Sequence, residues 1–439
     1  MNQILSVIKP AALGLALILT LTSCGGHGST GSGLESSGSE LSDISLESEG
    51  FESSLESDPN GETSEIAAPS SPASASNVSS KTGSSSTSVD SATTSSTASS
   101  TPSISETLGI NAALKTYCGA SDGPARITKE LLLPCVAYMD GDQIKDTMFD
   151  AFVFLPSPNW VYDWGSEDGG KAAHKKSDWL KYVTSYEFAN GYNMDALEEA
   201  VGEVKQVLGR SDYKPGVFMS LFCPVKRVTS FGEVDGRNLN FSNLEDRKAA
   251  VKWMVDESIR QFKAKNYKNL KINGFYWFHE GMDYKDMESL DVIKYVTDYV
   301  RSLGYITIWS PFFTASGYNR WADYGFDMAT MQANYFAGGS PNAGGEDRLY
   351  QVAESKRKYG LGVEIELEDV KEINITVTKK YLKYGVELGY MNNYNLYYMG
   401  GPGSVHTICR SKNEYFRSLY DEMYRFVKRT LKAGDIILK

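Results

Sequence analysis

The stretch Ile272-Asn273-Gly274-Phe275-Tyr276-Trp277-Phe278-His279-Glu280 is apolar and aromatic as far as Phe278 and then stops abruptly at His-Glu. Aromatic residues suit a strand, and a strand buried on both faces reads as a nearly unbroken apolar run. Amphipathic helical patterns flank it on both sides. A buried parallel strand that ends in a carboxylate is the arrangement in which α/β barrels keep their chemistry. Period-2 alternation puts Gly274, Tyr276, Phe278 and Glu280 on one face and Phe275, Trp277 and His279 on the other. Glycine and a carboxylate fit the barrel interior, and the bulkier face fits the surrounding helices. The plainer alternative is a glutamate that only caps the next loop.

Outward from this strand, further runs of the same kind alternate with helical patterns. The expected strands are Leu131–Met139, Phe149–Leu155, Val217–Phe222, Ile272–Phe278, Ile306–Trp309, Met328–Ala333, Leu361–Leu367 and Met391–Tyr398. The expected helices include Asn243–Lys265, Leu290–Leu303, Asp347–Tyr359, Lys379–Leu388 and Asn413–Leu431. The first of these has Ser242 as a candidate cap, Glu245 three residues later, and Val251, Met254, Val255 and Ile259 at helical spacing. Gly304 and Gly360 stand where helix-ending glycines stand. Alternation argues for a parallel sheet, and eight units argue for closure. The predicted fold class is therefore α/β, a (β/α)8 TIM-type barrel. An open doubly wound sheet would call for a Gly-rich phosphate loop after the first strand, and none is present.

Two connections break the rhythm. Asp140–Met148 leaves room for no more than a turn of helix between strands one and two. Pro156 to Pro215 is very long and carries Trp160, Tyr162, Trp164 and Trp179. Tryptophan and tyrosine at a barrel mouth suit stacking on sugar faces. A satellite core under a long loop is the competing reading.

The N-terminal quarter is of another kind. Residues 1–24 carry Lys9 and an apolar run, Ala11–Leu21, too short for a secure membrane span. They end Leu21-Thr22-Ser23-Cys24-Gly25, which resembles the lipobox of bacterial lipoproteins; the resemblance implies lipidation at Cys24 and an anchor in the membrane. Residues 25–105 are rich in Ser, Thr, Gly and Glu, and cannot bury enough surface to offset their ordering entropy. They are expected to form a disordered tether. Gly25–Ser105 holds 11 Asp and Glu against the single Lys81, a net of −10; with Lys9 counted in the leader, the chain's −11 leaves −2 for the barrel domain at 106–439. A nearly neutral domain has no electrostatic footprint for nucleic acid, and a monomer is expected.

Beyond Cys24 there are Cys118, Cys135, Cys223 and Cys409. Four cysteines allow three full pairings, which sequence does not separate. Buried free thiols are the alternative for Cys135 and Cys223. No cysteine or histidine spacing suggests a metal site, and no cofactor is expected.

Several segments together resemble the bacterial domain-of-unknown-function family 4855. They are Phe231-Gly232-Glu233-Val234-Asp235-Gly236, Arg247 with Val251-Lys252-Trp253, Gly274 to Glu280, Trp321 with Gly325-Phe326-Asp327, Gln332-Ala333-Asn334-Tyr335 and Gly362-Val363-Glu364-Ile365-Glu366. The resemblance covers most of residues 106–439. It implies a secreted or surface bacterial protein concerned with glycans, and it supplies no reaction, so chemistry is read from the site.

On strand seven Glu364, Glu366 and Glu368 share one face by alternation. Carboxylates crowded on a buried strand repel one another and are costly to desolvate. A polar plug, with glutamate paired to lysine or arginine inside the barrel, would account for them structurally. The functional reading pairs them with Glu280. Carboxylates at strands four and seven resemble the large clan of retaining barrel glycoside hydrolases. In that clan the strand-four glutamate is acid/base and the strand-seven glutamate is nucleophile. His279 stands where the clan has asparagine. By the resemblance Glu280 is the proton donor and Glu366 the nucleophile, with Glu364 in reserve. Residues expected to line a glycan cleft are Tyr138, Asp140, Trp160, Tyr276, His279, Trp309, Gln332, Asn334, Tyr335 and Asn395, because amides and aromatic rings converging at strand ends are what sugars require. A noncatalytic surface glycan binder and a transporter-type solute-binding lipoprotein complete the range; the single barrel leaves no two-lobed hinge for the latter.

Overall fold

The computed structural model describes residues 103–120, 123–124, 126–156, 175–282, 286–336 and 344–439. The leader with Cys24, the tether up to residue 102, and Trp160, Tyr162 and Trp164 lie outside the described residues. The described residues begin slightly before the expected boundary. Ser103 caps a short helix, Ile104–Leu108, through a reciprocal capping box with Glu106.

Eight parallel strands close into a barrel. They are β1 (Ala112–Tyr117), β2 (Ala151–Leu155), β3 (Gly216–Leu221), β4 (Lys271–Trp277), β5 (Ile306–Trp309), β6 (Met328–Gln332), β7 (Gly362–Glu366) and β8 (Asn395–Tyr398). β1 pairs with β8 and closes the ring. The barrel is the predicted one, with a correction at its start. Leu131–Met139 is not the first strand. Lys129–Val136 is a helix, and Ala137–Asp140 pairs with Gln143–Thr147 as a hairpin that runs into β2. The true first strand, Ala-Ala-Leu-Lys-Thr-Tyr, carries a lysine in its middle, which masked it as an apolar run. Asp140–Met148 is thus the tip and return arm of that hairpin.

The helices follow the sequence pattern with shifted ends. Asn243, not Ser242, caps the helix Leu244–Lys265, its side chain accepting from the amides of Glu245 and Asp246. The helix expected over Lys379–Leu388 runs from Glu372 to Glu387. Its first turns are rich in β-branched residues, which read weakly as helix; burial of Ile375, Val377 and Thr378 decides the matter. Between β5 and β6 there is a 3-10 segment, Tyr318–Tyr324, in place of a full helix. Among the described residues no helix is long and apolar enough to cross a membrane. Cys118, Cys135 and Cys409 carry free, buried thiols.

Gly274 shows why a strand can require glycine. A Cβ there would lie 1.8 Å from the carbonyl oxygen of Ile306 on β5. The close approach of β4 and β5 needs its absence.

Candidate active site

Strand register brings one set of side chains to the barrel axis. Residues level with one another on adjacent parallel strands point the same way, so Lys115 shares the inner face with Val153, Tyr276 with Ile308, Glu364 with Gln332, and Glu366 with Tyr398.

The centre is an ion pair. Lys115 Nζ lies 2.8 Å from Glu364 Oε1 and 2.7 Å from Oε2, and each side chain is only 2% exposed. Ser310 Oγ donates to Glu364 Oε2 at 2.5 Å and accepts from Thr330 Oγ1 at 2.9 Å. Charge-assisted bonds of this kind are the strong ones. Burial alone would pull the lysine down; the charges of Glu364 and Glu280 outweigh it and hold Lys115 above the usual lysine range. The ion pair with Glu364 favours the ammonium form of Lys115 over the free amine. Glu364 is the polar plug foreseen as the structural reading of strand seven.

Glu366 is held differently. Its Oε2 accepts from the backbone N–H of Asn334 at 2.7 Å and from the Tyr381 hydroxyl at 2.5 Å; Oε1 accepts from Asn334 Nδ2 at 3.4 Å. Asn334 adopts a left-handed backbone with φ 48°, which asparagine tolerates better than most residues. Burial, then the neighbouring charge of Glu364, push the Glu366 carboxyl up to about 8 against these donors.

Glu280 follows the end of β4 and is partly exposed. Burial of its carboxyl pushes it up, Lys115 draws it down, and Glu364 pushes it up again; with a hydrogen bond from Gln332 the result is about 7. Gln332 is itself fixed, its Nε2 donating to the Ser310 carbonyl at 3.0 Å and its Oε1 accepting from Asn334 Nδ2 at 3.1 Å. Tyr276 lies beside them, with Lys115 Nζ 5.5 Å from its ring centroid. Glu280, Glu366, Glu364, Tyr276, Gln332 and Asn334 are therefore neighbours around one cation.

The remaining described candidates make other contacts. Tyr138 stacks on Tyr424 with centroids 4.0 Å apart and donates to Asp421, at the hairpin that enters β2 from the N-terminal side; Asp140 is exposed on the same hairpin. Lys129–Val136 being a helix and not a strand sets both residues on this hairpin and not at a strand end. Trp309 faces outward, stacked on Phe326 at 5.2 Å, and its indole N–H donates to the His279 carbonyl at 2.9 Å. It braces the backbone before Glu280 and forms no subsite floor. His279 turns its Nδ1 to the Gly281 carbonyl at 2.7 Å. Tyr335 packs against Tyr381 and accepts from Lys380 at 3.3 Å. Asn395 stands at the start of β8, spent on the carbonyls of Tyr390 and Asn393. Glu368 lies beyond β7 and is exposed. Trp160 is outside the described residues.

Lys115, Ser310, Thr330 and Tyr381 were missed. One signal existed for Lys115: inward carboxylates on β7 call for a compensating cation, and a lysine between apolar residues at the start of the domain answers it. Tyr381 had none, since it comes from the helix after β7.

A further carboxyl fills a fault in the wall. The β2–β3 ladder stops at Val153 and Phe218. Beyond it Glu187 Oε1 accepts from Ser220 N at 3.1 Å and Tyr182 Oη at 2.8 Å, while Oε2 is unpartnered. Burial pushes Glu187 up to about 8.

Fold and site define a class: a closed parallel β/α barrel with an acidic interior organised on one lysine. The chain belongs to the family described as Domain of unknown function (DUF4855), whose model matches residues 112–425. No curated protein matches it in sequence. Among solved structures, a family 5 lichenase from Caldicellulosiruptor sp. F32, in complex with cellotetraose, has 11% identity and a TM-score of 0.39 over 76% of this chain and 96% of its own. A family 5 glycoside hydrolase from Prevotella bryantii B14 has 11% identity and a TM-score of 0.38 over 74% and 98%. A family 18 chitinase from Flavobacterium johnsoniae has 11% and 0.36 over 73% and 95%. At such identities and scores these likenesses decide nothing about the reaction.

Proposed function

We propose that this protein hydrolyses an extracellular glycan with two carboxyls, Glu280 and Glu366, at the barrel mouth. The observation that supports this is the gathering of Glu280 and Glu366 around the Lys115–Glu364 pair, with Glu280, the proposed acid, raised toward neutrality. A carboxyl titrating near 7 can give a proton at neutral pH and take it back. Glu280, the more accessible, protonates the departing glycosidic oxygen. Glu366, aimed by Asn334 and Tyr381, releases its proton to solvent and in its ionised form, which these donors stabilise, bonds to the anomeric carbon as the glycosidic oxygen leaves with the proton of Glu280; the Glu280 carboxylate then takes a proton from the water that breaks this ester and frees Glu366. Glu364 takes no part as nucleophile, because Lys115 and Ser310 occupy both its oxygens. Retention of configuration is the expected outcome. Lipidation at Cys24 would hold the enzyme at the bacterial membrane, with residues 25–105 as its tether.

The test is incubation with a panel of polysaccharides, reading new reducing ends for the wild type and for Glu280→Gln and Glu366→Gln. Cleavage by the wild type that both variants lose supports the reading; full activity in both variants ends it. One observation favours a noncatalytic glycan-binding role, namely the near-complete burial of Glu366. Glycan binding with no cleavage anywhere in the panel would select that role.

A further inference from the structure

We propose that Phe312 is a stacking platform for one sugar ring of a bound glycan, on the Glu280 side of the site, where the departing part of the chain lies. The placement on the departing side rests on the hydrolytic reading above; the binding of a sugar ring does not.

Among the described residues only two aromatic side chains are exposed, Tyr350 and, at 44%, Phe312. Tyr350 stands on the helix Asp347–Tyr359 with its ring edge-on to Tyr384, centroids 4.9 Å apart. Phe312 follows the C-terminal end of β5, at the mouth of the barrel. A lone exposed aromatic is ordinary on a surface; the frame that holds this one is not. Its backbone N–H donates to the Glu280 carbonyl at 3.3 Å. The next N–H, of Phe313, donates to Asn334 Oδ1 at 2.9 Å, and the Asn334 N–H donates to Glu366 Oε2. Consecutive amides thus tie this loop to Glu280 and, through Asn334, to Glu366. Two further bonds lock the loops after β4 and β5 together, from Trp309 Nε1 to the His279 carbonyl at 2.9 Å and from the Met282 N–H to the Ser316 carbonyl at 3.2 Å. Phe313 is covered by the Arg348 guanidinium, 4.3 Å from its ring centroid, whereas Phe312 is left open. The Phe312 ring lies against the backbone one residue past Glu280: a Cβ on Gly281 would stand 3.2 Å from its Cε1.

Phenylalanine offers a flat apolar face and no hydrogen bond. A pyranose ring fits such a face beside carboxyl and amide groups, because it is C–H on its face and hydroxyl around its rim. A loop already fixed at four points loses little freedom when the ring docks. The contact with Gly281 and the bond to the Glu280 carbonyl put the platform next to the proposed proton donor, so the sugar it holds is the one whose oxygen Glu280 protonates.

Affinity electrophoresis of the full-length protein in gels holding xylan, mixed-linkage β-glucan, mannan or arabinan tests this. Phe312→Ala, Phe312→Leu and Phe312→Trp are compared in the Glu280→Gln background, so that the glycan survives. Phe312→Ala should weaken binding roughly fivefold or more, tryptophan should restore it, and leucine, apolar but not flat, should not. Thermal melts should coincide, since the side chain is exposed. Should the alanine variant fail to fold, leucine against tryptophan carries the comparison. Undiminished binding by the alanine variant, or rescue by leucine, overturns the platform, and so does a parent retarded in none of the gels. For a glycan that the wild type cleaves, kcat/KM on the polymer should fall by a similar factor in Phe312→Ala. On the corresponding oligosaccharide fluoride, whose leaving group has no ring, it should not change; equal loss on both overturns the placement on the departing side. Binding that depends on Phe312 without any cleavage keeps the platform and ends the hydrolytic reading; cleavage indifferent to Phe312 does the reverse.

Discussion

The Tyr381 hydroxyl donates to Glu366 Oε2 at 2.5 Å from the helix that follows the strand bearing its partner. The Tyr381 hydroxyl oxygen in turn accepts from the Tyr335 backbone N–H at 3.1 Å, so the phenol links the loop after β6 to the end of β7. This bond favours the ionised form of Glu366. Tyr381→Phe should therefore raise the titration of Glu366 and cost about 1–3 kcal/mol of stability, the range for leaving a buried polar group without its partner. Carbon NMR and denaturant unfolding measure the two effects.

Turnover, where a substrate is found, should fall roughly a hundred- to ten-thousand-fold in Glu280→Gln, the range for loss of a positioned acid. Glycan affinity should change little, because the lost interaction belongs to the transition state. The split between kcat and KM checks this.

Glu187 makes stability depend on pH. Its folded value, about 8, lies above its ordinary 4.5, so the folded state holds the proton more tightly. The stabilising contribution is complete below about 4.5 and is lost as pH rises through about 8. Glu187→Gln keeps the acceptor for Ser220 and Tyr182 and removes the titration. The variant should gain about 1–4 kcal/mol relative to wild type between pH 5 and pH 8.5, by urea unfolding at the two pH values. Equal pH dependence in the two proteins would contradict this assignment.

Gly274→Ala should destabilise the barrel by about 1–3 kcal/mol or more, since its Cβ would meet the Ile306 carbonyl carbon and oxygen. Gly403→Ala, in the helix Pro402–Cys409 with open space around it, is the control and should be neutral or slightly stabilising. Thermal melts compare them.

A chain beginning at Ser103 should melt where the full chain melts. The tether's composition offers no core, while Ser103 caps the first helix and has to be kept. A large fall in Tm on truncation would show that residues before 103 contribute to stability.

The sequence by itself determined the barrel and the carboxylates. Seven of the strand positions, the ends of β4 and β7, and the inward aim of Glu280, Glu364 and Glu366 follow from alternation and apolar runs, which depend only on neighbours along the chain. What the carboxylates do to one another was decided by tertiary structure. Lys115 stands 249 positions from Glu364 in the chain, and only closure of β1 against β8 sets the two face to face. Their charges separate the roles of Glu364 and Glu366, which are indistinguishable by pattern. Trp309 and Asn395 carry the opposite lesson: both look suited to sugars, but each sits on the outer face of its strand and is consumed by backbone carbonyls. Periodicity says which face a residue shares, whereas burial and charge depend on what the folded chain brings opposite it.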